Sequence, residues 1–207
     1  MSWDGYGFPR KKTVGQRRAA ATKHLARASQ RGQPLAPVVI EGRAIATTFW
    51  GKAWCDNLER YQDFAYRLDR GRSYVRSGAV IDLAITPYKI AAKVLGSSLY
   101  QVTITIGPLA RARWTEIQQR CRGRIGSLVD LLAGTLSPTV MADLCARSTG
   151  MFPEPADLEL SCSCPDYATM CKHVAATLYG VGARLDREPA LLFTLRGVSA
   201  DELLASA

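Results

Sequence analysis

The feature that most constrains this chain is a group of four metal-ligand side chains within twelve residues. Residues 158–173 read LELSCSCPDYATMCKH, which places the ligands at the spacing C-x-C-x6-C-x-H. Three thiolates and one imidazole fill a tetrahedral zinc shell, with Zn–S bonds of about 2.3 Å and a Zn–N bond of about 2.1 Å. The pattern predicts one zinc ion bound by Cys162, Cys164, Cys171 and His173.

The residues around these ligands predict a strand, a turn and a helix. Residues 158–162 alternate between apolar and polar side chains, so Cys162 and Cys164 point to the same side of an extended chain. Pro165-Asp166 then predicts a turn. Cys171 and His173 lie at or just before a helix start, where the helix dipole favours a thiolate. The apolar stripe of that helix consists of Val174, Leu178, Val181 and Leu185.

The number of ligands indicates a structural zinc ion. A catalytic zinc ion usually has three protein ligands and an open position, whereas this chain supplies all four. A Cys162–Cys164 disulfide would close a strained loop, and iron or copper suits this donor set less well than zinc. Asp166 could act as a general base, but capping the turn is the simpler role. The sequence contains neither a nucleophile paired with a general base nor a glycine-rich loop that binds phosphate. We therefore assign no catalytic residue.

The charge of the chain is concentrated at its N-terminal end. The 207 residues include 27 Lys and Arg against 18 Asp and Glu, and residues 1–43 hold nine of these bases and only two of the acids. Such a basic arm attracts polyanions, of which nucleic acid is the commonest. An acidic protein surface or a solvated tail that only aids solubility are the alternatives.

Eight basic residues of this arm are candidate nucleic-acid contacts. Alanine-rich residues 13–31 predict a helix, on which three of the bases fall four residues apart on one face. No helix shows the base-reading pattern of a known groove-binding motif, so we expect contacts to the phosphate backbone. The eight candidates are Arg10, Lys11, Lys12, Arg17, Arg18, Lys23, Arg27 and Arg31.

The rest of the chain predicts an α+β fold. Residues 49–65 form a helical pattern whose stripe contains Trp50 and Trp54, which we interpret as core residues. Alternation at about residues 79–106 predicts a three-strand antiparallel meander with one apolar face, which helices must cover. Further helices are predicted at residues 111–123, 125–134, 138–148, 189–195 and 199–205.

The sequence also indicates a compartment. No apolar run approaches the ~20 residues that span a bilayer, and the first residues lack the layout of a signal peptide. We therefore expect a cytoplasmic protein, with association with the nucleoid as an alternative. Thiols are reduced in the cytoplasm, which further favours metal binding over disulfides.

The C-x-C-x6-C-x-H pattern followed by an apolar helix resembles the SWIM zinc finger, a family named for Swi/Snf-type ATPases and MuDR transposases. Residues 45–54, 70–74 and 191–197 are also similar to bacterial SWIM proteins, small proteins often linked to a Snf-type helicase. The resemblance implies metal binding by the same four ligands, and binding of DNA or proteins through this domain. The charge distribution and the periodicity along the chain divide it into a basic arm and helix at 1–43, an α+β body at 44–150, and a strand-turn-helix SWIM finger with C-terminal helices at 151–207.

These observations predict a non-enzymatic accessory protein with one structural zinc ion. We expect it to bind nucleic acid, DNA being the first candidate, or a Swi/Snf-type helicase or ATPase, or both. No ATPase motif occurs in the sequence, so such a motor would be a separate chain. We expect neither a membrane nor a small-molecule substrate as a partner. The alternatives are a standalone nucleic-acid-binding protein and a zinc-dependent or thiol-redox enzyme.

Overall fold

A four-stranded antiparallel sheet organises the computed structural model, which describes residues 13–61 and 64–205. The four strands lie side by side in the order in which they follow one another along the chain. The strands are β1 (Val80–Thr86), β2 (Lys89–Leu95), β3 (Leu99–Ile106) and β4 (Leu158–Cys162). The first three form the predicted meander, with apolar side chains such as Ile90, Val94 and Ile104 buried on one face.

The sheet has four strands because the strand of the metal-binding motif joins the meander. β4 pairs with β3 from Val102 opposite Cys162 to Ile106 opposite Leu158. A strand at the edge of a sheet presents unpaired backbone N–H and C=O groups, and β4 satisfies those of β3. The three-strand sheet predicted from the sequence therefore lacked one strand, which lies more than fifty residues further along the chain.

Nine α-helices and a short 3-10 helix (Pro155–Asp157) occur in the described part of the chain. The α-helices are α1 (Val14–Gln30), α2 (Phe49–Glu59), α3 (Ala65–Arg76), α4 (Arg111–Cys121), α5 (Leu128–Ala133), α6 (Pro138–Leu144), α7 (Lys172–Leu185), α8 (Ala190–Arg196) and α9 (Asp201–Ala205). The α+β class and most predicted helices are confirmed. The helix predicted over residues 49–65 ends at Glu59, and α3 was not predicted. Its buried face consists only of Leu68, Gly71 and Val75, which is a weak apolar pattern.

The most buried helix is α7, which follows directly from the metal-binding motif. Twelve of its fourteen residues are buried, and it packs against α2, α3 and the sheet. Trp54 of α2 is 1% exposed, and its indole N–H donates to the carbonyl of Leu178 at 2.8 Å. Trp50 is equally buried and donates to the carbonyl of Leu131 at 2.9 Å, so both tryptophans have the predicted core role. Although α7 is mainly apolar, no helix in the described ranges is long and apolar enough to cross a membrane.

Helix α1 lies on the outside of this core. Its buried residues are only Ala21 and Ala28. Thr13 and Gln16 form a capping box at its start, which satisfies two of the free backbone N–H groups. The Arg17 guanidinium donates to the hydroxyls of Ser77 and Ser73 at 3.2 and 3.1 Å, which attaches α1 to the C-terminal part of α3.

Candidate metal centre

The four predicted ligands come from three consecutive pieces of local structure. Cys162 is the last residue of β4, Cys164 lies in the following loop, Cys171 is the N-cap of α7, and His173 is in its first turn. The pairing with β3 continues past the end of β4. The backbone N–H of Ser163 donates to the carbonyl of Gln101 at 3.0 Å, and the backbone N–H of Gln101 donates to the Ser163 hydroxyl at 2.9 Å. The sheet edge therefore positions the first two thiols.

The distances among the ligand atoms fit a single tetrahedral ion. All four atoms lie within 4.8 Å of one another, and Cys171 and His173 are buried. The Nδ1 atom of His173 lies 3.8 Å from the Cys162 sulfur and 3.7 Å from the Cys171 sulfur. Ligands on a tetrahedral zinc ion are expected to be about 3.6 Å apart for a sulfur and a nitrogen. The four side chains are therefore positioned to bind one zinc ion, with Nδ1 as the histidine ligand.

The site also favours the thiolate form of one cysteine. A hydrogen bond from Cys162 lowers the pKa of Cys171 to about 3, and His173 and the backbone N–H groups of His173 and Val174 act in the same direction against the effect of burial. The same hydrogen bond, with burial, raises the pKa of Cys162. A zinc ion held by Cys162 and Cys171 would displace that shared proton, because each bound sulfur must be deprotonated.

The imidazole of His173 is held by residues that sequence reasoning did not assign to the site. The ring of Tyr100 lies 4.4 Å from it at a tilt of 30°, and the ring of Tyr74 meets it edge-on at 5.4 Å. Gly96 lies against the Nε2 atom, where a Cβ would be only 2.9 Å away. The turn at residues 96–98 was recognisable in the sequence, but its glycine and Tyr100 reach His173 only in the folded sheet.

The loop between Cys164 and Cys171 is tied to α3 by an ion pair. The Arg67 guanidinium donates to the Asp166 carboxylate at 2.7 Å, and that carboxylate also accepts the backbone N–H of Ala168 at 3.3 Å. Asp166 thus caps the turn and anchors the loop, the simpler of its two predicted roles. The next residue, Tyr167, is fully exposed.

The predicted nucleic-acid contacts fall into three groups. Arg10, Lys11 and Lys12 lie outside the described residues. Arg17 and Arg18 both contact α3; Arg18 donates to the carbonyl of Arg76 at 3.2 Å, and Arg17 lies 4.8 Å above the ring of Tyr74. The last group is exposed: Lys23 and Arg27 lie on α1, and Arg31 is its C-cap.

Comparison with known proteins agrees with this geometry. Residues 147–180 match the family model of the SWIM zinc finger, as the resemblance predicted. The chain is 34% identical over 166 residues to the uncharacterized protein Rv2102 of Mycobacterium tuberculosis, an alignment that covers 79% of this chain. The chain spans only 60% of the length of that relative. No solved structure matches the chain.

Proposed function

We propose that this chain, which carries a SWIM zinc finger at residues 147–180, is a non-enzymatic accessory protein that binds nucleic acid, with DNA as the first candidate. A non-enzymatic role is supported by the number of metal ligands, because the protein supplies all four of them. Four side chains of the chain converge on one point, and two of them are buried. A zinc ion held by four protein ligands keeps no open position for a substrate or an activated water.

The position of the site in the fold supports a structural role for zinc. Its ligands connect β4, which extends the sheet, to α7, which is the most buried helix. An ion at this junction joins two parts of one core. Because the ligand geometry is lost in an unfolded chain, the binding free energy of such an ion contributes to folding.

The charge on α1 supports nucleic-acid binding. Lys23, Arg27 and Arg31 are exposed and lie about 6 Å apart along the helix axis. Residues 14–30 contain no aspartate or glutamate. Such a row of cations attracts phosphates and releases their counterions on binding, which gives affinity without a preferred base sequence.

A Swi/Snf-type ATPase as a separate partner chain extends this proposal. It is supported by the match to the SWIM family, whose name refers to those ATPases. The standalone binder differs only in lacking the motor. Purification of the tagged chain from its host separates the two, because a co-eluting DNA-dependent ATPase favours the accessory role and its reproducible absence favours the standalone binder.

Titration of a labelled DNA duplex with the zinc-loaded chain, at several salt concentrations, tests the nucleic-acid part. The test variant replaces Lys23, Arg27 and Arg31 with alanine. The matched control replaces Lys52, Lys89 and Arg122, three exposed cations on other elements. We expect the test variant to lose about 0.9 in the log–log salt slope for each phosphate contact, and the control to lose less. Equal slopes and affinities for the test variant and the wild type would contradict binding through α1.

A further inference from the structure

Two tyrosines, one on α3 and one within the finger, are more exposed than any other aromatic side chain in the described ranges. Tyr66 of α3 is 69% exposed and Tyr167 of the finger loop is fully exposed. A tyrosine ring gains its contribution to stability by being buried, so rings in this position add little to the fold. Tyr66 lies on α3 with the guanidinium groups of Arg67 and Arg70 at 6.0 and 5.8 Å from its ring, and Tyr167 lies on the finger loop that contacts α3.

The ion pair between α3 and the loop joins the two chain segments that carry these tyrosines. Arg67 directly follows Tyr66, and Asp166 directly precedes Tyr167. Arg67 and Asp166 are joined at 2.7 Å, with 28% and 24% of their side chains exposed. Tyr66 is therefore next to the arginine of this salt bridge, and Tyr167 is next to its aspartate. The salt bridge also limits the movement of the loop.

Cations accompany these rings along α3. Tyr66, Arg70 and Tyr74 follow one another at four-residue intervals, which places them on one face over about 12 Å. The guanidinium of Arg70 lies 5.8 Å from the ring of Tyr66, and the ammonium of Lys172 lies 5.8 Å from the ring of Tyr74. Within the part of the chain that the structure describes, neither Arg70 nor Lys172 forms a salt bridge. Their charge is available to an anion.

We propose that this surface, the tyrosine–cation row (Tyr66, Arg70, Tyr74, Tyr167 and Lys172), binds single-stranded nucleic acid. Unpaired bases stack on the exposed rings of Tyr66 and Tyr167, and Arg70 and Lys172 contact the phosphates. Bases within a duplex already cover each other's faces, whereas unpaired bases offer a face to an aromatic ring. The proposal rests on the proposed function and deepens it, because it names the form of nucleic acid and a second surface besides α1.

Two tyrosines of the row are directly connected to the metal centre. Tyr167 lies between the ligands Cys164 and Cys171, and the ring of Tyr74 contacts the ligand His173. A bound zinc ion limits the conformations of the loop that carries Tyr167. We therefore expect the row to bind a single strand only in the zinc-loaded chain.

The test uses the zinc-loaded full chain, with fluorescence anisotropy of a labelled oligothymidine of about 15 nucleotides and of a mixed-sequence duplex of equal length. Tyr66→Ala and Tyr167→Ala remove the rings, and Tyr66→Phe and Tyr167→Phe retain them. Tyr167→Leu keeps an apolar side chain without a ring. Val129→Ala changes an exposed apolar residue elsewhere and is the control. Zinc content and circular dichroism confirm that each variant is folded.

We expect each alanine variant to weaken oligothymidine binding roughly 5- to 150-fold, and Tyr167→Leu to behave like Tyr167→Ala. The affinity of the phenylalanine variants and of Val129→Ala for oligothymidine should stay within about twofold of the wild-type affinity. The affinity of every variant for the duplex should also stay within about twofold of the wild-type value. Arg70→Ala should reduce the single-strand salt slope by about 0.7. The proposal would be overturned if both alanine variants bound oligothymidine as tightly as the wild type. It would also be overturned if these variants lost as much affinity for the duplex as for oligothymidine.

These outcomes separate the row from the proposed function. If the α1 triple variant loses duplex binding while the tyrosine variants bind oligothymidine normally, the tyrosine–cation row does not bind single strands. In that case the proposed function stands. If the wild-type chain binds neither probe, both are refuted.

Discussion

Helices α1 and α7 differ in what holds them in the fold. α1 has 17 residues and buries only Ala21 and Ala28, whereas α7 has 14 residues and buries twelve. α1 depends on its capping box, on alanine and on polar contacts from Arg17 and Arg18, and α7 depends on the core and the metal ligands at its start. The loosely packed α1 therefore carries exposed cations, whereas the densely packed α7 begins at two of the four candidate metal ligands.

This difference determines what each helix can do. Exposed cations on α1 are available to a polyanion because packing does not use their side chains. The imidazole in the first turn of α7 packs against the rings of Tyr74 and Tyr100, and its Nδ1 atom lies 3.8 and 3.7 Å from the sulfurs of Cys162 and Cys171. Perturbations of the finger should therefore affect stability strongly, and perturbations of α1 should affect stability weakly.

Removal of zinc should have the largest effect. We expect Cys171→Ser, or chelation of the metal in the wild type, to lower the free energy of unfolding by several kcal/mol, because a buried ligand set is left without its ion. Thermal unfolding and zinc content measure this, and hydrogen exchange should show a greater loss of protection in α7 than in α1. Cys145→Ser is the control and should retain one zinc ion per chain. An unchanged melting temperature in the metal-free chain would contradict the structural role of zinc.

A methyl group at Gly71 should have the next largest effect. A Cβ at this position of α3 would lie 2.5 Å from the Cβ of Ala175 and 2.9 Å from the backbone nitrogen of Ala176, so α3 must move away from α7. We expect Gly71→Ala to lower the free energy of unfolding by about 1–3 kcal/mol, measured by urea denaturation.

The matched control is Gly15→Ala on α1, where the nearest atom to a Cβ is 4.0 Å away. Alanine favours the helix there, and we expect a gain of up to ~0.5 kcal/mol. If both substitutions change stability by the same amount and sign, the two helices do not differ in packing as described.

The far end of α7 should show a smaller, pH-dependent effect. The Asp186 carboxylate accepts hydrogen bonds from the backbone N–H and hydroxyl groups of Thr47 and Thr48, at the start of α2. Burial raises the pKa of Asp186, and the four hydrogen bonds together lower it by more than burial raises it. The pKa of Asp186 in the folded chain therefore lies below the ordinary value. A lowered pKa stabilises the fold above the unfolded value of about 3.9, and this contribution is lost as the pH falls through the folded pKa.

We therefore expect Asp186→Asn to cost about 1–2 kcal/mol at neutral pH, with the difference from the wild type shrinking below pH ~4. Urea denaturation at a series of pH values measures it, and Asp69→Asn, on an exposed carboxylate of α3, is the control. A difference that stays constant down to pH ~2 would show that the charge of Asp186 is not involved.

Sequence patterns predicted elements whose signals are local. The meander, the core role of Trp50 and Trp54 and the strand-turn-helix around the ligands follow from periodicity over a few residues, and the structure contains all of them. α3 was missed because it buries only one stripe and contains Gly71 at its centre. That glycine opposes helix formation in isolation and is favourable only against α7.

The sequence by itself determined the metal ligands, because Cys162, Cys164, Cys171 and His173 lie within twelve residues and short-range geometry is sufficient to bring them together. Tertiary structure alone decided what surrounds them. The pairing of β4 with β3, the rings of Tyr74 and Tyr100 against His173, and the ion pair of Arg67 with Asp166 all join residues far apart in the chain. Such contacts depend on which surfaces bury each other, and spacing along the sequence carries no direct record of that.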